Sequence, residues 1–349
     1  MRTDDFDYEL PPDLIAQTPH ERGASRLLVL HKTSGTIEHR QFNDIQDYIH
    51  SDDLLVMNNT RVSARRLTAI RDNGAPAEVL LIAPQGTRSW RALVRPGRSF
   101  KPGRDFTLVD CFSGAHAKAV VSGLTPDGGR ILDFENTSIR DSVADWGETP
   151  LPPYIKQKLP RNDEERYQTI YGSEPGSAAA PTAGLHFTSQ LLDKILQTGA
   201  RTCNVTLEVG VATFRPVKSD DVNDHEMHFE RIYVPASTAH AVNCCRGKVV
   251  AVGTTTVRAL ESSIQHGINV AAGASDRASE FEGETNLFIT PGYQFRAIDA
   301  LVTNFHQPRS TLLMMISALA GRELILHAYN EAICMKYRFF SFGDAMLII

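Results

Sequence analysis

The middle of the chain consists of short apolar segments separated by turn residues. Six β-prone runs, RLTAI, AEVLLIA, WRALVR, DFTLVD, AKAVVSG and RILDFE, alternate with Gly- and Pro-containing turns such as DNGAP, PQG, RPG and KPG. Short strands at this regular spacing predict a small barrel or sandwich. We therefore expect residues 63–150 to form a small antiparallel β-barrel domain.

The segments on either side alternate between apolar strands and amphipathic helices. DDLLVMNN and KVVAVG predict buried strands, whereas TSQLLDKILQTGA, VRALESSIQHG and STLLMMISALAG have apolar residues at helical spacing. In the first of these helices, the leading Thr and Ser can cap the start, and Gly199 can end it. This alternation predicts a large α/β domain with a mostly parallel sheet, formed by residues 1–62 and 151–349, into which the barrel is inserted.

Composition narrows the class of protein. The chain has 349 residues, a net charge of −5 and 42% hydrophobic residues, which is typical of a soluble globular protein. Its first residues lack the apolar core of a signal peptide, and its longest apolar run is too short for a membrane span. Five cysteines without a CxxC pair indicate free thiols and argue against a thiolate zinc site. We expect a cytoplasmic protein that makes no membrane contact.

One stretch of this acidic chain is strongly basic. The segment RSWRALVRPGRSFKPGR, residues 88–104, contains six cations and no acid. Such a cluster can neutralise the phosphates of a nucleic acid. Alternatively, the charges belong to a solvated strand face and protect a sheet edge from aggregation. Composition alone leaves both interpretations open.

A polar cluster directly follows an apolar strand in VAVGTTTVRALES. Ligands of open α/β sheets bind beyond the carboxyl ends of the strands, which is where this cluster falls. Thr254 and Thr255 begin a predicted helix that also carries Arg258 and Glu261. Hydroxyls and free N–H groups at a helix start can hold a carboxylate or a ribose. Ordinary helix capping is the alternative explanation for the threonines.

LVTNFHQPRST repeats this arrangement after another apolar run. A helix cap would explain Ser310, but it would not explain Asn304 and His306. The chain has neither a G-x-G-x-x-G loop after its first strand nor a G-x-x-x-x-G-K-[ST] motif. A Rossmann dehydrogenase or a P-loop enzyme is therefore not expected.

The segment NDHEMHFE raises the question of a metal site. Its His225 and His228 have H-x-x-H spacing, which differs from the H-E-x-x-H spacing that places two ligands on one helical face. A metal-dependent hydrolase using His225, His228 and Glu230 is one possible interpretation. The other is that one of these groups acts in proton transfer, since histidine titrates near neutrality.

The motifs together resemble one enzyme family. FDYELPPDLIAQTP, LLVMNNTRV, LPPYI, AAAPTAGLHFT, TFRPV, DHEMHFE, AVGTTTVRALES, PGYQFRAIDALVTNFHQPRSTLLMMISALAG and KYRFFSFGDAM occur in this order between residues 6 and 346. The chain resembles the S-adenosylmethionine:tRNA ribosyltransferase-isomerases of the queuosine pathway. The resemblance implies a large α/β domain with a small β-barrel, in agreement with the fold predicted from the pattern.

The resemblance also implies a reaction. The family transfers the ribosyl part of S-adenosylmethionine to 7-aminomethyl-7-deazaguanine at the tRNA wobble position. It isomerises the ribose to an epoxycyclopentanediol and releases adenine and methionine. S-adenosylmethionine is a cosubstrate, so we expect no permanently bound cofactor and no metal. The partner is the anticodon stem-loop of tRNA, and we expect a monomer.

This chemistry requires proton transfers, for which histidines are the natural candidates. The expected catalytic residues are His186, His228 and His306. We interpret PTAGLH as a tight loop in which Gly184 lets backbone approach a ligand, with His186 facing the adenosyl or ribose group. A buried His186 that satisfies loop carbonyls is the alternative. The expected S-adenosylmethionine-binding residues are Thr182, Gly184, Thr254, Thr255, Arg258, Glu261 and Asn304.

The basic segment is the expected tRNA surface. The expected tRNA-binding residues are Arg61, Arg95, Arg98 and Lys101. The aromatic residues that could stack on unpaired bases are Trp90, Phe339, Phe340 and Phe342. Core packing is an equally good interpretation of the C-terminal phenylalanines.

The chain departs from the family pattern at one motif. LEVGVATF stands where the family usually has Leu-His-Val-Gly-x-Gly-Thr-Phe, so Glu208 replaces a His and Ala212 replaces a Gly. Alanine resists a positive φ that glycine accepts. A non-catalytic RNA-binding protein on the same scaffold is therefore an alternative function.

Overall fold

The computed structural model describes residues 1–126, 128–210, 217, 219–267 and 276–349. The chain first forms four strands of the large domain. These are β1 (Arg26–Leu30), β2 (Ile37–Gln41), β3 (Leu54–Asn58) and β4 (Thr60–Val62).

The next six strands form the small domain. They are β5 (Arg65–Arg71), β6 (Pro76–Gln85), β7 (Ser89–Arg95), β8 (Asp105–Val109), β9 (His116–Leu124) and β10 (Arg130–Phe134). All neighbours are antiparallel, and the sheet closes into a barrel in the order β10, β7, β6, β5, β8, β9. The six apolar runs of the sequence are these six strands, so the predicted antiparallel barrel is confirmed.

Of the remaining elements, α1 packs on the barrel and the others belong to the large domain. The helices are α1 (Thr137–Ser142), α2 (Ser189–Gln197), α3 (Ala236–Asn243), α4 (Thr254–Gly267), α5 (Thr311–Ala320) and α6 (Arg322–Cys334). The strands are β11 (Glu174–Ser177), β12 (Arg201–Leu207), β13 (Glu230–Val234), β14 (Val249–Val252), β15 (Phe281–Thr285), β16 (Ala300–Asn304) and β17 (Ala345–Ile348).

The large sheet has nine strands, in the order β15, β13, β12, β3, β14, β16, β17, β1, β2. Four of its eight pairings are parallel: β12–β3, β3–β14, β14–β16 and β17–β1. The α/β class is confirmed, but among the described strands the sheet is mixed and not mostly parallel. Antiparallel neighbours need only a short connection, as between β1 and β2, whereas parallel neighbours need a longer crossover.

The central strands appear as continuous apolar runs because both faces of the sheet are covered. All five residues of β3 are buried. Leu54 and Val56 pack into the core that includes residues of α3 to α6. Leu55 and Met57 pack on the opposite face with residues of α2. No single described helix has the length and apolarity of a membrane span, although the bent pair α5–α6 meets that criterion when counted together.

The barrel packs against the loop that precedes α2. Leu80 and Ile82 of β6 and Leu93 of β7 face outward from the barrel and pack with Ala64 and Ala178. Ala178 begins the segment AAAPTAGLHFT. The barrel therefore supports a loop that forms one wall of the site described next.

Candidate active site

A cleft opens beside the carboxyl ends of β14 and β16. Its empty volume, part of which is open to solvent, is about 700 Å³. The cleft is lined by Tyr154, Ala180, Pro181, Thr182, Ala183, Val209, Gly253, Thr254, Thr255, Thr303, Asn304, Phe305, His306, Gln307, Ser310, Leu312, Phe340 and Ser341. Among the residues that the structure describes, no Asp, Glu, Lys or Arg lines it.

Gly253 turns the chain from strand β14 into helix α4. Its φ of 89° is in the region that favours glycine. A Cβ at this position would be 3.6 Å from both Ala183 Cβ and Thr255 Oγ1. The turn thus brings the start of α4 against the loop that carries Thr182. This is the end of the sheet at which the sequence predicted a ligand site.

Asn58 holds the hydroxyl of Thr255 from behind the cleft. This side chain is fully buried at the end of β3. Its Oδ1 accepts from the backbone N–H groups of Thr60 and Leu207, at 3.1 and 3.0 Å. Its Nδ2 donates to the Leu207 carbonyl and to Thr255 Oγ1, both at 3.1 Å. Sequence reasoning missed Asn58, although a polar residue ending the apolar run LLVMN was a usable signal.

Asn304, at the end of β16, connects the cleft to a buried histidine. Its Nδ2 is 3.2 Å from the Phe340 carbonyl and 3.1 Å from His186 Nε2. Its Oδ1 accepts from Thr182 Oγ1 at 3.0 Å. Because a carbonyl can only accept, the Phe340 contact fixes which end of the amide is the donor. Asn304 therefore donates to His186 Nε2.

His186 lies behind Asn304, outside the cleft. Its residue is 5% exposed, and its Nδ1 is 2.6 Å from Ser25 Oγ. Since Nε2 accepts from Asn304, the ring proton lies on Nδ1 and points to Ser25. Burial lowers the pKa of His186 to about 4, so the ring is neutral at neutral pH. In this geometry the protein itself occupies both ring nitrogens, and the ligand contact of His186 stays a prediction.

His306 is the predicted histidine that does line the cleft. Its backbone N–H donates to Tyr329 Oη at 2.8 Å, and its carbonyl accepts from the Tyr8 hydroxyl. Its Nε2 is 2.7 Å from Thr303 Oγ1. Burial lowers the pKa of His306 well below its usual value, so this side chain is a neutral imidazole at neutral pH.

An aromatic wall faces these polar groups. The rings of Tyr154 and Phe340 are 4.8 Å apart, and Tyr154 Oη is 2.6 Å from Ser341 Oγ. Phe340 has a φ of 71°, which is unfavourable for a bulky residue. Its backbone is held there by the Asn304 amide and by a bond from its own N–H to the Phe305 carbonyl. Such strain is concentrated at functional sites, and sequence reasoning did not single out Tyr154.

Arg258 and Glu261 lie along α4 but do not line the cleft. Arg258 forms a buried ion pair with Glu230 and donates from Nε to the Leu287 carbonyl at 3.2 Å. Glu261 accepts from Tyr293 Oη and from the backbone N–H of Ala297, both at 3.0 Å. The chain around residues 287–297 covers this part of the helix, and the contact of both residues with S-adenosylmethionine stays a prediction.

Gly184 makes room for a side chain instead of a ligand. A Cβ at Gly184 would be 2.0 Å from Tyr171 Oη and 2.7 Å from Thr169 Cγ2. The close approach that we predicted for a ligand is therefore made by Tyr171. Thr182, two residues earlier, does line the cleft.

The segment NDHEMHFE is not part of the cleft. His228 is exposed and does not line the cleft, and its catalytic role stays a prediction. The His225 ring packs edge-on against Phe288, and the Glu230 carboxylate binds Arg258 and the Gly210 N–H. Within the described ranges, no group of three or more His, Cys, Asp or Glu could hold a metal ion. In this geometry, His225, His228 and Glu230 therefore do not form the metal site that a metal-dependent hydrolase would need.

Glu208, the departure from the family pattern, lies beside Val209 but does not line the cleft. Its carboxylate is 3.9 Å from the Arg231 guanidinium. A Cβ on Gly176 would lie 2.8 Å from Glu208 Cδ. Burial raises the pKa of Glu208, and Arg231 and Arg91 oppose that rise. The Ala212 departure lies outside the described residues.

The basic segment forms an exposed surface on the barrel. We call Arg88, Arg91, Arg95, Arg98 and Lys101 the barrel cations; all five are exposed. In the described part of the chain, none of the five is within ion-pair distance of an acid, whereas Arg104 pairs with Asp72 at 3.0 Å. Arg61, another predicted tRNA ligand, is ion-paired with Glu165.

The aromatic residues predicted to stack on RNA are mostly buried. Trp90 is 4% exposed inside the barrel, and its Nε1 donates to the Arg140 carbonyl at 2.9 Å. Phe339 and Phe342 pack in hydrophobic cores, and Phe340 belongs to the cleft. The stacking interpretation is wrong for Trp90, Phe339 and Phe342, because strand alternation and core packing turn them inward.

The fold thus combines a polar cleft at the strand ends of an α/β sheet with a β-barrel that carries an exposed basic surface. A model of the family described as queuosine biosynthesis protein matches residues 3–348. The chain therefore belongs to this family.

Individual relatives agree with this assignment. An S-adenosylmethionine:tRNA ribosyltransferase-isomerase from Symbiobacterium thermophilum is 49% identical, with 100% of each chain covered. One from Heliobacterium modesticaldum is also 49% identical, covering 99% of this chain and 98% of the relative. The crystal structure of an S-adenosylmethionine tRNA ribosyltransferase from Thermotoga maritima is similar, with 39% identity and a TM-score of 0.55 over 99% of this chain and 100% of the other.

Proposed function

We propose that this protein is an enzyme that transfers the ribosyl group of S-adenosylmethionine to 7-aminomethyl-7-deazaguanine at the wobble position of tRNA. It isomerises that group and releases adenine and methionine. The observation that carries the proposal is full-length similarity to curated ribosyltransferase-isomerases at 49% identity. The cleft supports it, because hydroxyl groups, an amide and a neutral histidine converge at the strand ends where nucleosides bind.

His306 is the group that accepts the C5′ proton in this proposal. The reaction removes one hydrogen from the carbon next to the sulfonium, so a base must lie near it. A base must be unprotonated to act, and burial keeps His306 in that form at neutral pH. The Tyr8 and Tyr329 hydroxyls fix its main chain and Thr303 contacts its ring, so the imidazole has a defined position.

S-adenosylmethionine occupies the cleft, in contact with Thr182, Thr254, Thr255 and Asn304. The lining has no carboxylate or cation among the described residues, so binding there depends on hydrogen bonds and on shape. His186 supports the site from behind by accepting from Asn304. Arg258 and Glu261 hold the chain that packs on α4 and do not contact the ligand.

The tRNA anticodon stem-loop binds the barrel cations in this proposal. Leu93 lies between Arg91 and Arg95 on β7 and packs next to Ala178, at the start of the cleft-forming loop. Phosphates bound along β7 would therefore be adjacent to the cleft. We further propose that the domain boundaries are residues 63 and 150, and that the protein acts as a cytoplasmic monomer.

Adenine release tests the proposed function directly. The purified protein is incubated with S-adenosylmethionine and with tRNA that carries 7-aminomethyl-7-deazaguanine. We expect one adenine released per modified tRNA, and no release with tRNA that carries guanine. Binding of tRNA without adenine release would favour the non-catalytic alternative that the Glu208 departure raises.

A further inference from the structure

Two threonine hydroxyls in the cleft have opposite hydrogen-bonding roles. Thr182 and Thr255 both line the cleft. The protein groups behind them are buried amides, Asn304 for the first and Asn58 for the second. Because each amide has a fixed donor end and a fixed acceptor end, it decides what its threonine can offer to a ligand.

Thr255 is available to a ligand as a donor. The Asn58 Oδ1 accepts two backbone N–H groups, so the atom facing Thr255 is the amide nitrogen. Thr255 Oγ1 accepts that N–H, which leaves its own proton free to be donated. Asn58 is completely buried and makes four bonds, so its amide does not turn over.

Thr182 is available to a ligand as an acceptor. Its hydroxyl donates its only proton to Asn304 Oδ1, which leaves the oxygen lone pairs for the cleft. The direction is fixed by two groups that accept from Asn304 Nδ2, the Phe340 carbonyl and His186 Nε2. His186 Nδ1–H donates in turn to Ser25 Oγ. In this series of hydrogen bonds, from Thr182 to Ser25, the donated protons therefore point away from the cleft.

Both hydroxyls line the same cleft. The loops that carry them are neighbours, since a Cβ built on Gly253 would lie 3.6 Å from Thr255 Oγ1 and 3.6 Å from the Cβ of Ala183, which follows Thr182. A sugar bound in this part of the cleft can therefore contact both loops.

We infer that Thr182 and Thr255 form a subsite for a sugar hydroxyl, with Asn58, Asn304 and His186 as positioning residues that fix its polarity. A hydroxyl or a vicinal diol both donates and accepts, which matches this pair. A carboxylate only accepts and an ammonium only donates, so each would leave one threonine unmatched. The inference rests on the proposed function, in which the ligand's sugar is the ribose of S-adenosylmethionine.

The test measures binding of S-adenosylmethionine and of its 2′-deoxy and 3′-deoxy analogues by calorimetry. Thr255→Val and Thr182→Val each remove one hydroxyl at nearly constant shape. We expect each to weaken S-adenosylmethionine binding by about tenfold, the effect of removing one hydrogen bond. Each deoxy analogue already lacks one sugar hydroxyl. The substitution of the threonine that contacts this hydroxyl should therefore cause no further loss of affinity for that analogue.

Conservative and neighbouring variants serve as controls. Thr255→Ser and Thr182→Ser keep the hydroxyls and should restore wild-type affinity. Thr256→Val removes a hydroxyl one residue away that donates to the Val252 carbonyl at 2.7 Å, so it should leave affinity unchanged.

His186→Phe tests the positioning role, because it removes the acceptor of the Asn304 amide. We expect it to reproduce the affinity loss of Thr182→Val and to add no further loss in the double variant. Full additivity of the two losses would remove His186 from the subsite.

Equal losses for S-adenosylmethionine and both deoxy analogues would overturn the inference, since the threonines would then not contact a sugar hydroxyl. Wild-type affinity in both valine variants would overturn it as well. These outcomes are independent of the proposed function, which fails if the wild-type protein binds S-adenosylmethionine and releases no adenine from it in the presence of the modified tRNA.

Discussion

The cleft and the barrel surface offer different physical interactions to a ligand. The cleft is lined by hydroxyls, the amides of Asn304 and Gln307 and one neutral histidine, and buried groups fix the direction of its hydrogen bonds. The barrel cations are exposed, and within the described ranges none has an acid within ion-pair distance. Oriented hydrogen bonds discriminate between ligands, whereas unpaired surface cations attract any polyanion and lose affinity in salt.

On this account, the cleft determines which small molecule binds, whereas the barrel surface attracts polyanions without regard to their sequence. We expect small-molecule binding to be nearly independent of ionic strength and tRNA binding to depend on it steeply. Variants in one region should therefore leave the measurement that belongs to the other region unchanged.

The largest effect is expected at His306. His306→Gln should lower the rate of adenine release by about 100-fold or more, because a positioned base contributes that much. The fold should persist, which circular dichroism and the thermal midpoint would show. His116→Gln, on the exposed start of β9, is the matched control. A His306 variant with wild-type turnover would assign the base to another residue.

A smaller effect is expected on the barrel. Charge reversal at Arg95 and Arg98 should weaken tRNA binding and reduce the slope of log affinity against log salt by about 2 or more, because each phosphate that is no longer neutralised lowers the slope by roughly one. Affinity for S-adenosylmethionine should not change. Arg322→Glu, at the start of α6 and outside the barrel, is the control. An unaltered slope would mean that these arginines are ordinary surface charges.

The pH dependence of the free energy of unfolding tests whether His186 is buried and neutral. Its pKa is about 4 in the folded protein, against an ordinary histidine pKa of 6.5, so below pH 6.5 the unfolded chain binds more protons. This one residue should therefore lower the free energy of unfolding by about 2 kcal/mol between pH 7 and pH 5. Urea titrations of the wild type and of His186→Gln at both pH values measure it. An equal pH dependence in the two proteins would contradict a buried neutral His186.

The smallest effect is expected at Glu208. Its side chain lies against Gly176 and Arg231, outside the cleft lining. Glu208→Gln and Glu208→His should change adenine release by about threefold or less, within the range of a modest electrostatic change. A loss above tenfold would place this position in the reaction.

Local patterns predicted the barrel and the position of the cleft. Apolar runs between turn residues defined its six strands, and polar residues at strand ends identified Thr254, Thr255, Asn304 and His306. Both signals come from residues close together in the sequence. The alternation of apolar and charged residues along β7 also indicated that Trp90 points inward. In the structure Trp90 and Ala92 face inward, while Arg91 and Arg95 face outward.

Contacts between distant segments explain why the other predicted site residues do not line the cleft. Arg258 and Glu261 follow Thr255 on one helix, but the chain at residues 287–297 covers them. His186 is separated from the cleft by Asn304, 118 residues later. Gly184 makes room for the side chain of Tyr171, which lies 13 residues earlier in the chain. No local sequence pattern shows which residues are covered by distant segments, because this depends on tertiary packing.

Hydrogen loss from C5′ tests the central claim most directly. S-adenosylmethionine with two deuterium atoms at C5′ is incubated with the protein and the modified tRNA, and the product nucleoside is analysed by mass spectrometry. The account predicts that the product retains one deuterium, and that His306→Gln, but not His116→Gln, slows the release of the other to solvent. Retention of both atoms, or an equal rate in the two variants, would contradict proton transfer to His306 in this cleft.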